Sequence, residues 1–385
     1  MKNYLLLVLV LLAGCKPWCG QTQTDENSDS KTQSVQLPET YQTVTVAPIP
    51  DDARVRNVVL MIGDGMSLSH IANLWTANKG RVNLENAQAI GLSKTTTADT
   101  LITDSGAAGT AMACGVKVNY HAIGIDPAGN ELTTLVDRAH AAGLGTGVVV
   151  TCRLWDATPA AFLAHNLSRD EEEDLIGDFP TSNCDVIIGG GASRFQNRTD
   201  GRDIITEMEQ VGYQVSRSLG DATQHADSPR QLVLVAEKDT PLPQERGDYL
   251  RDASIYTLDK LKAKNPNGFF VMIEGSQLDD YGHFNDLDLL MQETADFDRT
   301  IGAVMQWAEQ DGETLVVVTA DHETGGLTLL GGSIHTGTTV GHFATGGHSG
   351  VLVPVYAYGA GARDFTGIYE NTEIFHKICH ALSLK

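Results

Sequence analysis

The sequence has no stretch rich in lysine and arginine over its 385 residues, and its formal net charge is −22 at pH 7. The basic surface that nucleic-acid binding requires is therefore missing, and we expect no nucleic-acid partner. An acidic chain that binds an anion needs a local source of positive charge. Bound metal ions are one such source.

Cysteines are few, and their spacing excludes a structural zinc cluster in the core. The six cysteines are Cys15, Cys19, Cys114, Cys152, Cys184 and Cys379. After Cys19 none has a near neighbour of the kind found in zinc-binding cysteine pairs. An exported protein can form disulfides, but the sequence assigns no pairing.

The N-terminal apolar run is too short to span a bilayer. It extends from Tyr4 to Leu12 after Lys2, as in a signal peptide. It ends in Leu12-Ala13-Gly14-Cys15, which resembles a bacterial lipobox. We predict a signal peptide at residues 1–15, a lipid anchor at Cys15 and a periplasmic or cell-envelope location, with ordinary signal-peptidase cleavage as the alternative.

Two regions of different composition follow. Residues 16–50 are polar with few large apolar side chains, which predicts a disordered tether. Residues 51–385 contain repeated apolar runs and no second polar break, which predicts one catalytic α/β domain.

Four apolar runs rich in β-forming residues each end beside polar residues. Residues 58–62 lead to Asp64, 147–151 to Asp156 and Thr158, 269–273 to Glu274, and 315–319 to Asp321 and His322. Such runs are typical of buried parallel strands. Open α/β sheets bind ligands beyond the carboxyl ends of their strands, so we expect these side chains to meet at one edge.

Helical patterns alternate with these strands, for example at residues 132–142 and 287–307. The alternation predicts a three-layer sandwich, with a central, mostly parallel β-sheet and helices on both faces. Residues 197–268 are more polar and contain four prolines, which indicates an excursion of helices and loops.

Two local patterns have both a structural and a functional interpretation. Ser105 lies where Thr103–Gly109 opens a helix of small residues, so it is either a capping residue or a group at a phosphate-attracting helix N-terminus. Asp64, in a Gly-Asp-Gly sequence, is either a turn residue or a ligand.

A second pair of patterns points to metal binding. Asp279 and His283 are four residues apart and share a helix face, an arrangement that can hold zinc or form a surface pair. His348 follows a glycine-rich loop and precedes an apolar run. His335 and His342 compete with His348 for the third ligand position.

Five motifs in order resemble those of alkaline phosphatases, and the similarity extends over residues 58–359. They are Ile62–Met66, Thr103–Ser105, Asp156–Pro159, Glu274–Ser276 and Thr319–His322. The resemblance implies two Zn²⁺ and one Mg²⁺ per subunit. Its implied ligands are Asp279, His283 and His348 for one zinc; Asp64, Asp321 and His322 for the other; and Asp64, Thr158, Glu274 and, through water, Asp156 for magnesium.

The resemblance also implies an activity, the hydrolysis of small phosphate monoesters at alkaline pH through a phosphoserine at Ser105. Arg169 is similar to the arginine that binds the substrate phosphate, and a homodimer is implied as well. A phosphodiesterase of the same superfamily and a non-catalytic phosphate-binding lipoprotein are the alternatives. Asp280 departs from the Lys, His or Trp common in relatives.

Overall fold

The computed structural model describes residues 31–385. The predicted signal peptide, the lipid anchor at Cys15 and the first part of the predicted tether lie outside the described residues. Among residues 31–385 no helix combines the length and apolar character needed to cross a membrane.

The strands of the described chain, in order, are β1 (Thr32–Gln36), β2 (Asn57–Gly63), β3 (Ala89–Lys94), β4 (Gly145–Arg153), β5 (Val186–Gly190), β6 (Tyr213–Ser216), β7 (Arg230–Leu234), β8 (Phe269–Gly275), β9 (Thr314–Thr319), β10 (Glu323–Thr324), β11 (Leu327–Ser333), β12 (Thr338–Phe343), β13 (His348–Ser349), β14 (Val353–Tyr358) and β15 (Gly367–Glu370).

The α-helices are α1 (Leu68–Ala77), α2 (Ser105–Cys114), α3 (Leu135–Ala141), α4 (Ala157–Leu163), α5 (Glu172–Gly177), α6 (Ala192–Gln196), α7 (Ile204–Gln210), α8 (Leu219–Gln224), α9 (Pro243–Arg246), α10 (Tyr249–Lys264), α11 (Gln277–His283), α12 (Leu287–Asp311) and α13 (Thr372–Ala381). Short 3₁₀ helices lie at Asn83–Asn86, Phe179–Thr181 and Ala362–Phe365.

Ten strands form the central sheet in the order β15-β3-β14-β9-β2-β8-β4-β5-β7-β6. All neighbouring pairs are parallel except those of β14, which runs antiparallel to β3 and β9. The mostly parallel sheet predicted from the sequence is thus confirmed. β1, β12 and β11 form a separate antiparallel sheet, and β10 pairs with β13.

Helices cover both faces of the sheet, as β2 illustrates. Its side chains are all buried, and they alternate between two separate cores. Val58 and Leu60 pack in the core that includes α2, α3 and α4, whereas Val59 and Met61 pack in the core that includes α10 and α12. Because both faces are apolar, the strand shows a continuous apolar run, and the predicted three layers are present.

The predicted tether is wrong for its described part. Thr32–Gln36 forms β1, which pairs antiparallel with β12 near the other end of the chain, and Leu37 and Ile49 are buried. This polar segment is ordered because its backbone hydrogen bonds are made to a partner strand about 300 residues away, which local composition does not reveal.

The predicted excursion at residues 197–268 is only partly correct. It contains helices, including α10, but it also adds β7 and then β6 to the end of the central sheet. β6 has only four residues and no apolar run, whereas β7 lies in the apolar run Leu232–Ala236, which the prediction of helices and loops overlooked. The helix predicted at residues 132–142 begins at Leu135, after the capping residue Thr134.

Candidate active site

The carboxyl ends of four neighbouring strands form the base of a polar site. β9, β2, β8 and β4 lie side by side and parallel. Asp64 directly follows β2, Glu274 is the last residue but one of β8, Asp321 lies just after β9, and Asp156 lies just after β4. The predicted meeting of these residues at one sheet edge is confirmed.

Ser105 is the first residue of α2 and lies at this edge. Asp104 caps the helix, because its carboxylate accepts hydrogen bonds from two backbone N–H groups of the first turn. Gly109 lets α2 approach α4, since a Cβ at this position would lie 3.1 Å from the Cβ of Ala161. The buried Ser105 hydroxyl oxygen lies 3.1 Å from Nε2 of His322.

His322 faces two buried aspartates as well. Its Nε2 lies 3.0 Å from Oδ2 of Asp321 and 3.5 Å from Oδ1 of Asp64. Within residues 31–385 these two carboxylate oxygens have no hydrogen-bond partner that meets geometric criteria. Buried carboxylate oxygens without donors are costly unless a cation neutralises them, so this donor set fits a metal ion.

A second ligand group lies beside the first. Nε2 of His283 is 3.2 Å from Oδ2 of Asp279, and Nε2 of His348 is 3.5 Å from Oδ1 of the same aspartate. The two imidazole Nε2 atoms are 3.1 Å apart. Asp279 and His283 share a face of α11 at the predicted spacing of four residues, and His348 approaches from β13.

The other ring nitrogen of each histidine is tied to a carbonyl oxygen. Nδ1 of His283 lies 2.9 Å from the Gly346 carbonyl oxygen, and Nδ1 of His348 lies 2.8 Å from that of Thr103. Both Nδ1 atoms are therefore placed to donate, which leaves each Nε2 free to bind a metal. Hydrogen bonding to Asp279 raises the pKa of His283 to about 9, whereas burial lowers the pKa of His348 to about 4.

The two competing histidines lie elsewhere. His342 is in β12, where its Nδ1 lies 2.8 Å from the hydroxyl oxygen of Thr32, and His335 is in the turn between β11 and β12. The structure thus selects His348 from the three histidines that the sequence left open.

Further oxygen ligands surround Asp64 on its other side. The Thr158 hydroxyl donates to Oδ2 of Asp64 over 3.3 Å, and Glu274 is buried beside it. Burial raises the pKa of Glu274 to about 8, and burial together with the charge of Asp321 raises the pKa of Asp64. Oxygen ligands of this kind suit a hard cation such as magnesium.

Arg169 reaches the site from the loop after α4. One guanidinium nitrogen lies 3.0 Å from Oδ1 of Asp156, and another lies 3.3 Å from Oδ2 of Asp104. Asp104 neighbours Ser105 in the chain, so the two carboxylates hold Arg169 close to the serine. The backbone N–H of Arg169 donates to the His121 carbonyl oxygen, which fixes the loop.

Sequence reasoning missed two supporting residues. The Thr324 hydroxyl hydrogen-bonds to Asp279 and lies 3.2 Å from Nδ1 of His322, so it touches both ligand groups. Arg153, at the end of β4, lies 3.1 Å from Oδ2 of Asp156. Thr324 lies two residues after His322, and Arg153 lies three residues before Asp156. Their positions in the sequence do not reveal which side chains they contact.

Arg153 is itself held by a second carboxylate, that of Asp239, at 3.0 Å. Burial lowers the pKa of Arg153, but the charges of Asp156 and Asp239 outweigh this effect and raise it above its ordinary value. A permanent positive charge therefore lies beside Asp156. In this region the sequence had indicated only the unusual acidic residue Asp280.

The geometry agrees with comparisons to known proteins. The alkaline phosphatase family model matches residues 55–342. Alkaline phosphatase 4 of Bacillus subtilis is 35% identical over 301 residues, which cover 72% of this chain and 64% of that protein, just under two thirds of its length. Alkaline phosphatase 3 of the same organism is 30% identical, with 85% of this chain and 89% of that protein covered.

A solved structure has a similar fold over most of this chain. The alkaline phosphatase from the Antarctic bacterium TAB5 is 37% identical to this chain and superposes with a TM-score of 0.83. The superposition covers 86% of this chain and 99% of that one.

Proposed function

This chain belongs to the alkaline phosphatase family of phosphomonoesterases, and from that premise we propose that it hydrolyses small phosphate monoesters through a phosphoserine at Ser105. The observation that carries the assignment is the position of the Ser105 hydroxyl, 3.1 Å from Nε2 of His322. A nucleophile at this point lies beside the ligand His322, and its chain neighbour Asp104 holds Arg169.

We propose two zinc ions and one magnesium ion as cofactors. Asp279, His283 and His348 would hold one zinc, and Asp64, Asp321 and His322 the other, since nitrogen and carboxylate ligands suit zinc. Asp64, Thr158 and Glu274, with Asp156 through water, would hold magnesium. In support, a solved mutant of the TAB5 enzyme has magnesium in the site named M3.

Bound metal ions of this kind supply a nucleophile of lowered pKa and stabilise the attacking and leaving oxygens. The Ser105 oxygen then forms a bond to phosphorus as the ester oxygen leaves, and the leaving group departs as the alcohol with the serine proton. Water attacks the phosphoserine in the second step. This step releases inorganic phosphate and restores the Ser105 hydroxyl.

Arg169 is the proposed phosphate-binding residue. Its planar guanidinium can donate two charge-assisted hydrogen bonds to non-bridging oxygens, and Asp104 and Asp156 already hold the group in place. A monoester has three non-bridging oxygens, so it can fill this two-bond clamp and still present one oxygen to the metal ligand groups, whereas a diester has only two. The arrangement therefore favours monoesters. We expect low selectivity for the alcohol part, because the recognised group is the phosphate.

We also propose a cell-envelope location, a lipid anchor at Cys15 and a homodimer. The Leu12–Cys15 motif supports export and a lipid anchor at Cys15, and resemblance to the family supports a homodimer. Incorporation of a labelled fatty acid that is lost in Cys15→Ser tests the anchor. Light scattering of the purified protein tests the dimer.

The activity test compares p-nitrophenyl phosphate with its bis-ester at alkaline pH, with zinc and magnesium and again after chelation. We expect monoester hydrolysis that greatly exceeds diester hydrolysis, disappears on chelation and returns when the metals are restored. Ser193→Ala serves as a matched control for Ser105→Ala, because the Ser193 hydroxyl donates to the Glu237 carbonyl outside the site.

The alternatives predict different results. Dominant cleavage of the bis-ester would assign the chain to a phosphodiesterase branch of the superfamily. Binding of phosphate with no turnover of either ester would favour the non-catalytic lipoprotein.

A further inference from the structure

The N-terminal strand β1 contacts the turn that follows two members of the second ligand group, Asp279 and His283. Along β1 the side chains alternate, so that Gln33 and Val35 are half-buried while Thr32, Ser34 and Gln36 are exposed. The antiparallel pairing of β1 with β12 sets this alternation. Gln33 is thereby directed towards the interior.

Both ends of the Gln33 side-chain amide are used. Its nitrogen donates to the backbone carbonyl oxygen of Asn285, and its oxygen accepts from the backbone N–H of Leu287 over 2.9 Å. Asn285 lies in the turn between α11 and α12, and Leu287 is the first residue of α12. The Gln33 side chain therefore connects β1 to this turn, whereas the backbone of β1 pairs with β12.

Asn285 in turn contacts the loop that carries His348. Its backbone has a φ of 53°, a left-handed conformation that few residues other than glycine and asparagine adopt readily. Its side-chain amide donates to the carbonyl oxygens of Gly282 and Thr345, each over 2.8 Å. The turn and the loop at residues 345–348 are therefore held together.

One proposed histidine ligand lies next to the turn, and the other lies in the loop that the turn contacts. His283 is two residues before Asn285, and its Nδ1 lies 2.9 Å from the carbonyl oxygen of Gly346. His348 follows two residues after Gly346. A shift of the turn would thus move both imidazoles relative to Asp279.

We propose that Gln33 is a positioning residue of the second ligand group, acting through Asn285 on His283 and the His348 loop. The inference rests on the proposed function, because it requires that this group bind zinc. A segment with the composition of a tether then contributes to the active site rather than only linking it to the N-terminus.

The test measures zinc affinity of the metal-free full chain by competition with a chromophoric chelator, for Gln33→Ala and for the matched control Gln36→Ala. Gln36 is an exposed glutamine of the same strand, and within residues 31–385 its amide donates to Thr336 and Thr338 and to no residue of the α11–α12 turn or of the ligand group. We expect Gln33→Ala to weaken one zinc site about tenfold, as for loss of an outer-shell partner, and Gln36→Ala to leave it unchanged. The weakened site should be the one that His283→Ala abolishes.

Circular dichroism of the metal-free proteins checks the fold, and Asn285→Gly provides a second variant. Glycine accepts the positive φ but removes the link to Thr345, so this variant should show the same loss of zinc affinity. Unchanged zinc affinity in folded Gln33→Ala, or an equal loss in Gln36→Ala, would overturn the inference. If Gln33→Ala does not fold, unchanged affinity in Asn285→Gly overturns it. Failure of the wild-type protein to bind zinc would contradict the proposed function itself.

Discussion

The hydroxyl oxygen of Ser105 lies 3.1 Å from Nε2 of His322, although the two residues are 217 positions apart in the chain. The same nitrogen faces one carboxylate oxygen of Asp64 and one of Asp321, neither of which has a hydrogen-bond partner in the described part of the chain. The proposed nucleophile and the proposed ligands therefore converge on one point. The following predictions test what each part of this arrangement contributes.

Ser105→Ala removes the proposed nucleophile. We expect kcat to fall by more than about a thousandfold, because the two-step route through phosphoserine is lost. Brief reaction with labelled phosphate ester followed by acid quenching should trap phosphoenzyme in the wild type and in Ser193→Ala. Trapped phosphoenzyme in Ser105→Ala would show that another residue is the nucleophile.

Arg169→Ala removes the proposed phosphate clamp. We expect competitive inhibition by inorganic phosphate to weaken about 10- to 100-fold, the effect of losing one or two hydrogen bonds to a charged group. Arg194→Ala is the control, since Arg194 pairs with Glu172 and Glu173 through a partly exposed side chain. Equal inhibition constants in the two variants would remove Arg169 from the phosphate site.

Arg153→Met tests whether the second arginine holds Asp156. Without it, one carboxylate oxygen of Asp156 loses its partner, and Arg169 is less firmly placed. We expect phosphate inhibition to weaken about tenfold, within the range for outer-shell partners. Arg251→Met, at an arginine that pairs with Asp248 and Asp252, should behave as wild type. An unchanged inhibition constant for Arg153→Met would restrict its role to folding.

Thr324→Val keeps the side-chain shape but removes the hydroxyl that touches Asp279 and His322. We expect zinc affinity and kcat to fall about tenfold or more. Thr328→Val, at an exposed position of β11, is the matched control. Equilibrium dialysis against zinc buffers measures the affinity, and equal values for both variants would contradict a positioning role.

The pKa of Glu274 makes a testable contribution to stability. In the metal-free protein, burial raises this pKa from 4.5 to about 8. Between these values the folded protein keeps a proton that the unfolded chain releases. The contribution is therefore fully present below pH 4.5 and is lost as pH rises through 8.

Denaturant unfolding of the metal-free protein from pH 5 to pH 9 measures this effect. We expect the free energy of unfolding of wild type to fall with rising pH relative to that of Glu274→Gln, which cannot titrate. Added metal should reverse the loss, since ligand carboxylates bind cations in the ionised form. Parallel curves for the two metal-free proteins would contradict a raised pKa at Glu274.

Much of the architecture was predictable because the central strands are buried on both faces. Their continuous apolar runs mark β2, β4, β8 and β9, and the parallel arrangement places the residues after them at one edge. The spacing of Asp279 and His283 is set within one helix, so it too was legible. Local periodicity and the ordered motifs determined the fold class, the strand ends and most of the proposed ligands.

Only the tertiary structure decided the contacts between distant segments. Spacing alone left His335, His342 and His348 open, and the position of His348 beside Asp279 depends on how loops fold over the sheet. The contacts of Arg153 with Asp156 and of Thr324 with two ligand groups depend on the same folding. The N-terminal strand is the extreme case, since β1 pairs with β12 and the Gln33 side chain bonds to Asn285, 252 residues away. Such hydrogen bonds leave no periodic signal in the sequence, because their partners are brought together by chain topology and not by neighbouring residues.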